Sequence, residues 1–120
     1  MSMYEFQLTN RLNSAVQTLC SQYSLSRVKR ILIKVGGLRK INPELMTFIF
    51  ASLSRGTPAE GAILSVMMVP VTFKCYKCGK TWTTTEDAEF LCPACQSRNV
   101  DLLNGLELEI DFIDVERELP

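Results

Sequence analysis

Apolar residues along positions 4–23 recur at helical intervals. Leu8, Leu12, Ala15, Val16, Leu19 and Tyr23 alternate with Gln7, Asn10, Arg11, Asn13, Gln17, Thr18, Ser21 and Gln22. This spacing predicts an amphipathic helix with one stripe to bury. After a polar break at residues 24–26 the period changes to two, and Ile31, Ile33 and Val35 share one face of a strand that Gly36-Gly37 ends. Arg27, Lys29, Arg30, Lys34, Arg39 and Lys40 read as the solvated charge of an edge strand. Asn42-Pro43-Glu44 starts a second helix, with a side-chain cap, a pre-set φ and an acid against the positive dipole end. Leu45, Met46, Phe48, Ile49, Phe50 and Leu53 predict that this helix is more fully buried than the first, until Gly56 and Pro58 stop it.

Residues 62–73 are apolar on both faces, which predicts a central strand, with a bend where Pro70 removes a ladder donor. The last strand alternates cleanly: Leu106, Leu108, Ile110 and Phe112 against Glu107, Glu109 and Asp111. From Asp114 the chain frays into a polar tail. The order is helix, strand, helix, strand, cysteine-bearing insert, strand. It predicts an α+β fold in which two helices pack on a small three-stranded sheet, with an inserted four-cysteine zinc-ribbon domain. Residues 1–72 and 106–120 would form the α/β domain and residues 73–105 the ribbon.

The insert carries the chemistry. Cys75-Tyr76-Lys77-Cys78 and Cys92-Pro93-Ala94-Cys95 are two Cys-x-x-Cys knuckles with thirteen residues between them. Each knuckle presents two sulfurs about a tetrahedral edge apart, and the loop lets the second close the tetrahedron. Four thiolates saturate Zn2+ and leave no position for water or substrate, so the zinc is read as structural. Gly79 suits a knuckle whose backbone needs positive φ. Trp82 is placed to cover the site. Disulfides are set aside, because the N-terminus has neither the basic nor the apolar region of a signal peptide. Cys20 has no knuckle partner and reads as a small buried side chain. The methionines of the second helix read as core.

Composition narrows the function. At 47% hydrophobic and 22% charged residues the chain is globular, and its formal net charge of zero offers no basic field for nucleic acid. No apolar run reaches the roughly 18 residues that a membrane span requires, so the expectation is a cytoplasmic protein. The chain contains no histidine. No Ser-His or Cys-His pair can be drawn, and with a saturated zinc this leaves an enzyme without machinery.

Several short stretches together resemble the hydrogenase nickel-incorporation family (HypA/HybF), over nearly the whole chain. They are Ser26-Arg27-Val28-Lys29-Arg30, Val35-Gly36-Gly37-Leu38, Pro43-Glu44, Arg55-Gly56-Thr57, Ala59-Glu60-Gly61-Ala62 and the two knuckles. The resemblance implies a metallochaperone for maturing nickel–iron hydrogenases, and in some organisms urease. It implies zinc on Cys75, Cys78, Cys92 and Cys95, and a maturation GTPase and the hydrogenase large subunit as partners. Members build their Ni2+ site at a Met-His-Glu start, where the terminal amine and backbone nitrogens join an imidazole in a planar set suited to nickel(II).

Here Met3, Tyr4 and Glu5 occupy that place, behind the extension Met1-Ser2, and Tyr4 stands at the histidine position. A phenol is a poor ligand near neutral pH. Two functions are therefore expected in competition. One is a maturation factor that still handles nickel without imidazole. The other is a zinc-bearing adaptor that has lost nickel and works by docking, as monomer or dimer. A nucleic-acid-binding ribbon is disfavoured by zero net charge and the acidic last strand. In either favoured reading the chemistry is binding and hand-over, not catalysis.

Overall fold

A computed structural model describes residues 3–84 and 90–116. The Met1-Ser2 extension and the last four residues of the expected tail lie outside that range. The elements follow the expected order: α1 (Met3–Gln22), β1 (Val28–Gly36), a 3-10 turn (Gly37–Arg39), α2 (Pro43–Leu53), β2 (Ile63–Val69), β3 (Val71–Cys75), β4 (Thr81–Thr84), β5 (Val100–Asn104) and β6 (Leu108–Val115). They form two three-stranded sheets, ordered β2-β1-β6 and β4-β3-β5. The fold is the expected α+β class, two helices with small three-stranded sheets and a four-cysteine cluster.

The chain divides into two compact units. One holds α1, α2 and residues 28–33, 63–66 and 110–115 of the first sheet. Its core is built from Leu8, Leu12, Val16 and Cys20 of α1, Met46, Ile49 and Phe50 of α2, and Val28, Ile31 and Ile33 of β1. Cys20 therefore joins the buried stripe of α1, as its null charge and small size allow, whereas Ala15 and Tyr23 are exposed. Helix α2 is capped as the sequence predicts. Asn42 Oδ1 accepts from the amides of Glu44 (3.0 Å) and Leu45 (3.3 Å), with Pro43 at the first helical position.

Three expectations are corrected. First, β1 is the central strand, not an edge, despite its basic residues. Ile31, Ile33 and Val35 point into the core, while Lys29 and Arg30 are exposed, because a sheet covered by helices on one face can leave the other in water. Second, the long apolar strand is not central. It breaks at Pro70 into β2 and β3, and β2 is an edge on which Ile63, Met67 and Met68 are exposed. A run apolar on both faces predicts double cover, but the adjacent Met67 and Met68 point to opposite faces and both meet solvent. Third, Phe48, counted among the apolar residues that bury α2, is exposed.

Strand β6 also departs from simple alternation. Leu108 and Ile110 are half-buried, Phe112 is exposed, and the half-buried set resumes at Ile113 and Val115. The strand extends through residues read as the start of the tail. It runs antiparallel to β1, since Gly36 N–H donates to Glu107 O (2.8 Å) and Glu116 N–H donates to Arg27 O (3.1 Å).

Candidate metal centre

The second unit comprises Lys34–Lys40 and Met67–Glu109. In its sheet Phe73 pairs with Trp82 of β4 and with Leu102 of β5, and Cys75 pairs with Val100. Val71, Phe73 and Cys75 occupy the buried face of β3. Trp82 stacks on Phe73 with ring centroids 5.5 Å apart, and Phe90 meets the same ring edge-on at 5.1 Å. Phe73, fully buried beneath these rings, anchors the strand whose end carries Cys75. Trp82 thus packs on Phe73.

Both knuckles use one local design. After Cys75, the amide of Gly79 donates back to Cys75 O (2.9 Å) and Cys75 N–H donates to Lys80 O (2.8 Å). After Cys92, the amide of Gln96 donates to Cys92 O (2.8 Å) and Cys92 N–H donates to Ser97 O (3.0 Å). The residue following each second cysteine is left-handed: Gly79 at φ 78° and Gln96 at φ 61°. A turn this tight needs that conformation, which glycine adopts freely and glutamine only against steric resistance.

The two turns bring Cys75, Cys78, Cys92 and Cys95 together, with all four sulfurs within 4.8 Å of one another. Cys75 Sγ lies 3.6 Å from Cys95 Sγ, and Cys78 Sγ lies 3.5 Å from Cys92 Sγ. Four sulfurs bound at about 2.3 Å to a tetrahedral zinc would be about 3.8 Å apart, so the cradle fits such an ion. Among the described residues no other group of three or more cysteines, histidines or acids converges in this way. Cys75 and Cys92 are buried, Cys95 is half-buried and Cys78 is exposed.

The surroundings polarise the thiols unequally. The backbone amide of Cys78, opposed by burial and aided by that of Lys77, holds Cys75 below its ordinary value. Burial raises the Cys92 thiol, but the amides of Cys95 and Ala94 outweigh it and bring it to about 6. The amide of Ser97 lowers Cys95, yet burial and the neighbouring thiols prevail and push it to about 11. Amides aimed at sulfur are the usual means of stabilising thiolate in a metal knuckle.

Met3, Tyr4 and Glu5 form the first turn of α1, in the other unit. Met3 and Tyr4 are exposed and Glu5 is buried; Thr9 Oγ1 donates to the Glu5 carbonyl (2.6 Å). They are not part of the sulfur cluster. Sequence reasoning missed the bond from Tyr76 Oη to Asp101 Oδ2 (2.9 Å), which joins the first knuckle to β5. Nothing in the spacing of two residues this distant announces it.

A small α+β scaffold carrying a cradle of four sulfurs has the chemistry to hold a metal ion. A family model described as hydrogenase/urease nickel incorporation, metallochaperone, HypA, matches residues 3–115. The chain belongs to this family. The hydrogenase maturation factor HypA of Dechloromonas aromatica (strain RCB) is 32% identical over 114 residues, covering 95% of this chain and 100% of the relative. The factor of the same name from Nostoc sp. is 36% identical over 115 residues, covering 95% and 96%. The fold is similar to the solution structure of the Ni metallochaperone HypA from Helicobacter pylori, with a TM-score of 0.67 at 17% identity over 95% of this chain and 98% of that one. A second solution structure of HypA protein gives a TM-score of 0.70 at 18% identity, over 98% and 100%.

Proposed function

We propose that this chain is a hydrogenase maturation factor that works by binding and hand-over, without a catalytic step. The observation that carries this reading is the convergence of Cys75, Cys78, Cys92 and Cys95 in a chain that belongs to a nickel-incorporation family. The four thiolates would hold Zn2+ as a structural ion. When bound, zinc supplies the cross-link that ties one knuckle to the other in a module with little core of its own. Residues 73–105 then act as the zinc-braced ribbon, and residues 1–72 with 106–120 as the domain that handles cargo.

Nickel is the cargo, and its place in this reading is the start of α1, where Met3 and Tyr4 are exposed beside Glu5. Donors there would be backbone nitrogens and the Glu5 carboxylate, with no imidazole. The partners are a maturation GTPase and the hydrogenase large subunit, and the setting is cytoplasmic. Among the described residues no helix is long and apolar enough to cross a membrane. A second reading, an adaptor that docks partners without carrying nickel, is favoured by the absence of histidine from the chain and by Tyr4 in the first turn of α1.

Calorimetric titration of nickel(II) into the zinc-loaded protein, with Tyr4→His alongside, separates the two. A tight one-to-one signal in the unsubstituted protein supports the chaperone. Silence there, with binding restored by Tyr4→His or not at all, supports the adaptor.

A further inference from the structure

Strand β6 carries five apolar side chains in eight residues, yet none of its residues is buried. It is also the terminal strand of its sheet, so among the described residues one of its backbone edges has no partner strand. Unsatisfied strand edges beside apolar surface are templates for another extended chain. Beside β6 lies a groove of about 740 Å³, lined by Leu19, Tyr23 and Leu25 from the end of α1 and its loop, and by Ile110, Ile113 and Val115 of β6. The groove owes its shape to the way α1 ends. Ser24 is left-handed at φ 53°, and Leu25 N–H donates back to Cys20 O (2.9 Å), which turns the loop round the helix end.

The charge along this strand selects the occupant. Asp111, Asp114 and Glu116 are all exposed, and Glu116 already meets Arg27 at 3.4 Å. A second copy adding β6 to β6 would set these acids against their own like, which is destabilising. A strand with basic side chains would meet opposite charge. We infer that the groove and free edge of β6 bind an extended segment of a partner protein, with apolar residues at alternate positions and lysine or arginine between them. The apolar set enters the groove over Leu19, Tyr23, Ile113 and Val115, and the basic set faces the exposed Asp114. The inference is independent of the metal reading.

The test uses the full-length, zinc-loaded protein and dye-labelled eight-residue peptides that alternate valine with lysine or valine with glutamate. Fluorescence anisotropy is expected to show saturable binding of the lysine peptide, weakened by salt, and binding at least about tenfold weaker for the glutamate peptide. Asp114→Lys, at an exposed position, is expected to weaken the lysine peptide about fivefold. Amide exchange of residues 110–115 should slow on binding. Absence of binding, equal binding of the two peptides, or indifference to Asp114→Lys would overturn the inference. So would sedimentation as a dimer whose formation excludes the peptide, since that result gives the groove to a second copy.

Discussion

Gly36 and Gly105 meet backbone to backbone. A Cβ on Gly36 would stand 2.1 Å from both the carbonyl carbon and the carbonyl oxygen of Gly105, and 2.4 Å from the amide nitrogen of Leu106. Three bonds fasten the same place: Gly36 N–H to Glu107 O (2.8 Å), Leu38 N–H to Gly105 O (2.9 Å) and Arg39 Nε to Leu106 O (2.8 Å). Residues 36–39 are thereby clipped to the segment that leads from β5 into β6.

Substituting Gly36 therefore forces backbone apart, which no rotamer change relieves. Gly36→Ala is expected to lower stability by about 3 kcal/mol or more, the upper range for overpacking. Gly37→Ala meets a methyl of Val71 at 3.2 Å and the carbonyl oxygen of Val69 at 3.3 Å, contacts that ease with a shift of a few tenths of an ångström. It should cost about 1 kcal/mol. Urea denaturation midpoints of the two metal-loaded variants check the contrast, and equal losses would refute it.

The sequence exposed much of this fold because its strongest signals are local. The helix period of α1, the Asn42-Pro43 start of α2 and the paired knuckles each declare themselves within a few residues. What it concealed depends on long-range pairing. The basic residues of β1 look like an edge, yet its place between β2 and β6 is set by strands far along the chain. Ile63, Met67 and Met68 look like core, and only the sheet order shows that their strand ends the sheet. The glycine pair Gly36-Gly37 was legible as a strand end, but the close approach of Gly105 was not. At the candidate metal centre the four converging cysteines were legible from spacing, whereas Gln96 in the left-handed position gave no signal, since glycine marks such sites and glutamine does not.

That difference between the knuckles is measurable. A Cβ on Gly79 would meet nothing within 4 Å, so the only cost of Gly79→Ala is its φ of 78°. The loss should be about 1 kcal/mol. Gln96→Gly, which relieves the same conformation, should be neutral or slightly stabilising, because the relief is offset by the greater freedom of glycine in the unfolded chain. Chelator competition reads both: Gly79→Ala should release metal to a lower chelator concentration, and Gln96→Gly should not.

Removing the metal should act locally. Trp82 is the only tryptophan of the chain and stacks on Phe73 inside the second unit. Zinc-type sites in modules of this size contribute folding free energy on the order of 10 kcal/mol. Stripping by a strong chelator, or Cys75→Ser with Cys92→Ser, should red-shift Trp82 emission as its ring becomes wet. The far-ultraviolet helical signal of α1 and α2 should largely remain. Unchanged emission with metal demonstrably gone would show that the sulfur cradle does not hold the module together.

Cys20 gives the pH dependence. Burial pushes its thiol above the ordinary value, because the thiolate has no water and the neutral form packs beside Leu12 and Val16 in the core of the first unit. The folded-state pKa is therefore higher than the unfolded one. The stability it contributes is complete below the unfolded thiol value of about 8.5, and is lost as pH rises from there through the folded value. Cys20→Ala removes a buried sulfur and should cost about 1 kcal/mol at pH 7. The gap between the two proteins should narrow between pH 8.5 and 10, as the unsubstituted chain alone gains an ionisable group on unfolding. Denaturation midpoints of both zinc-loaded proteins across that range decide it. A gap that stays constant would mean that Cys20 is no more protected in the fold than in the open chain.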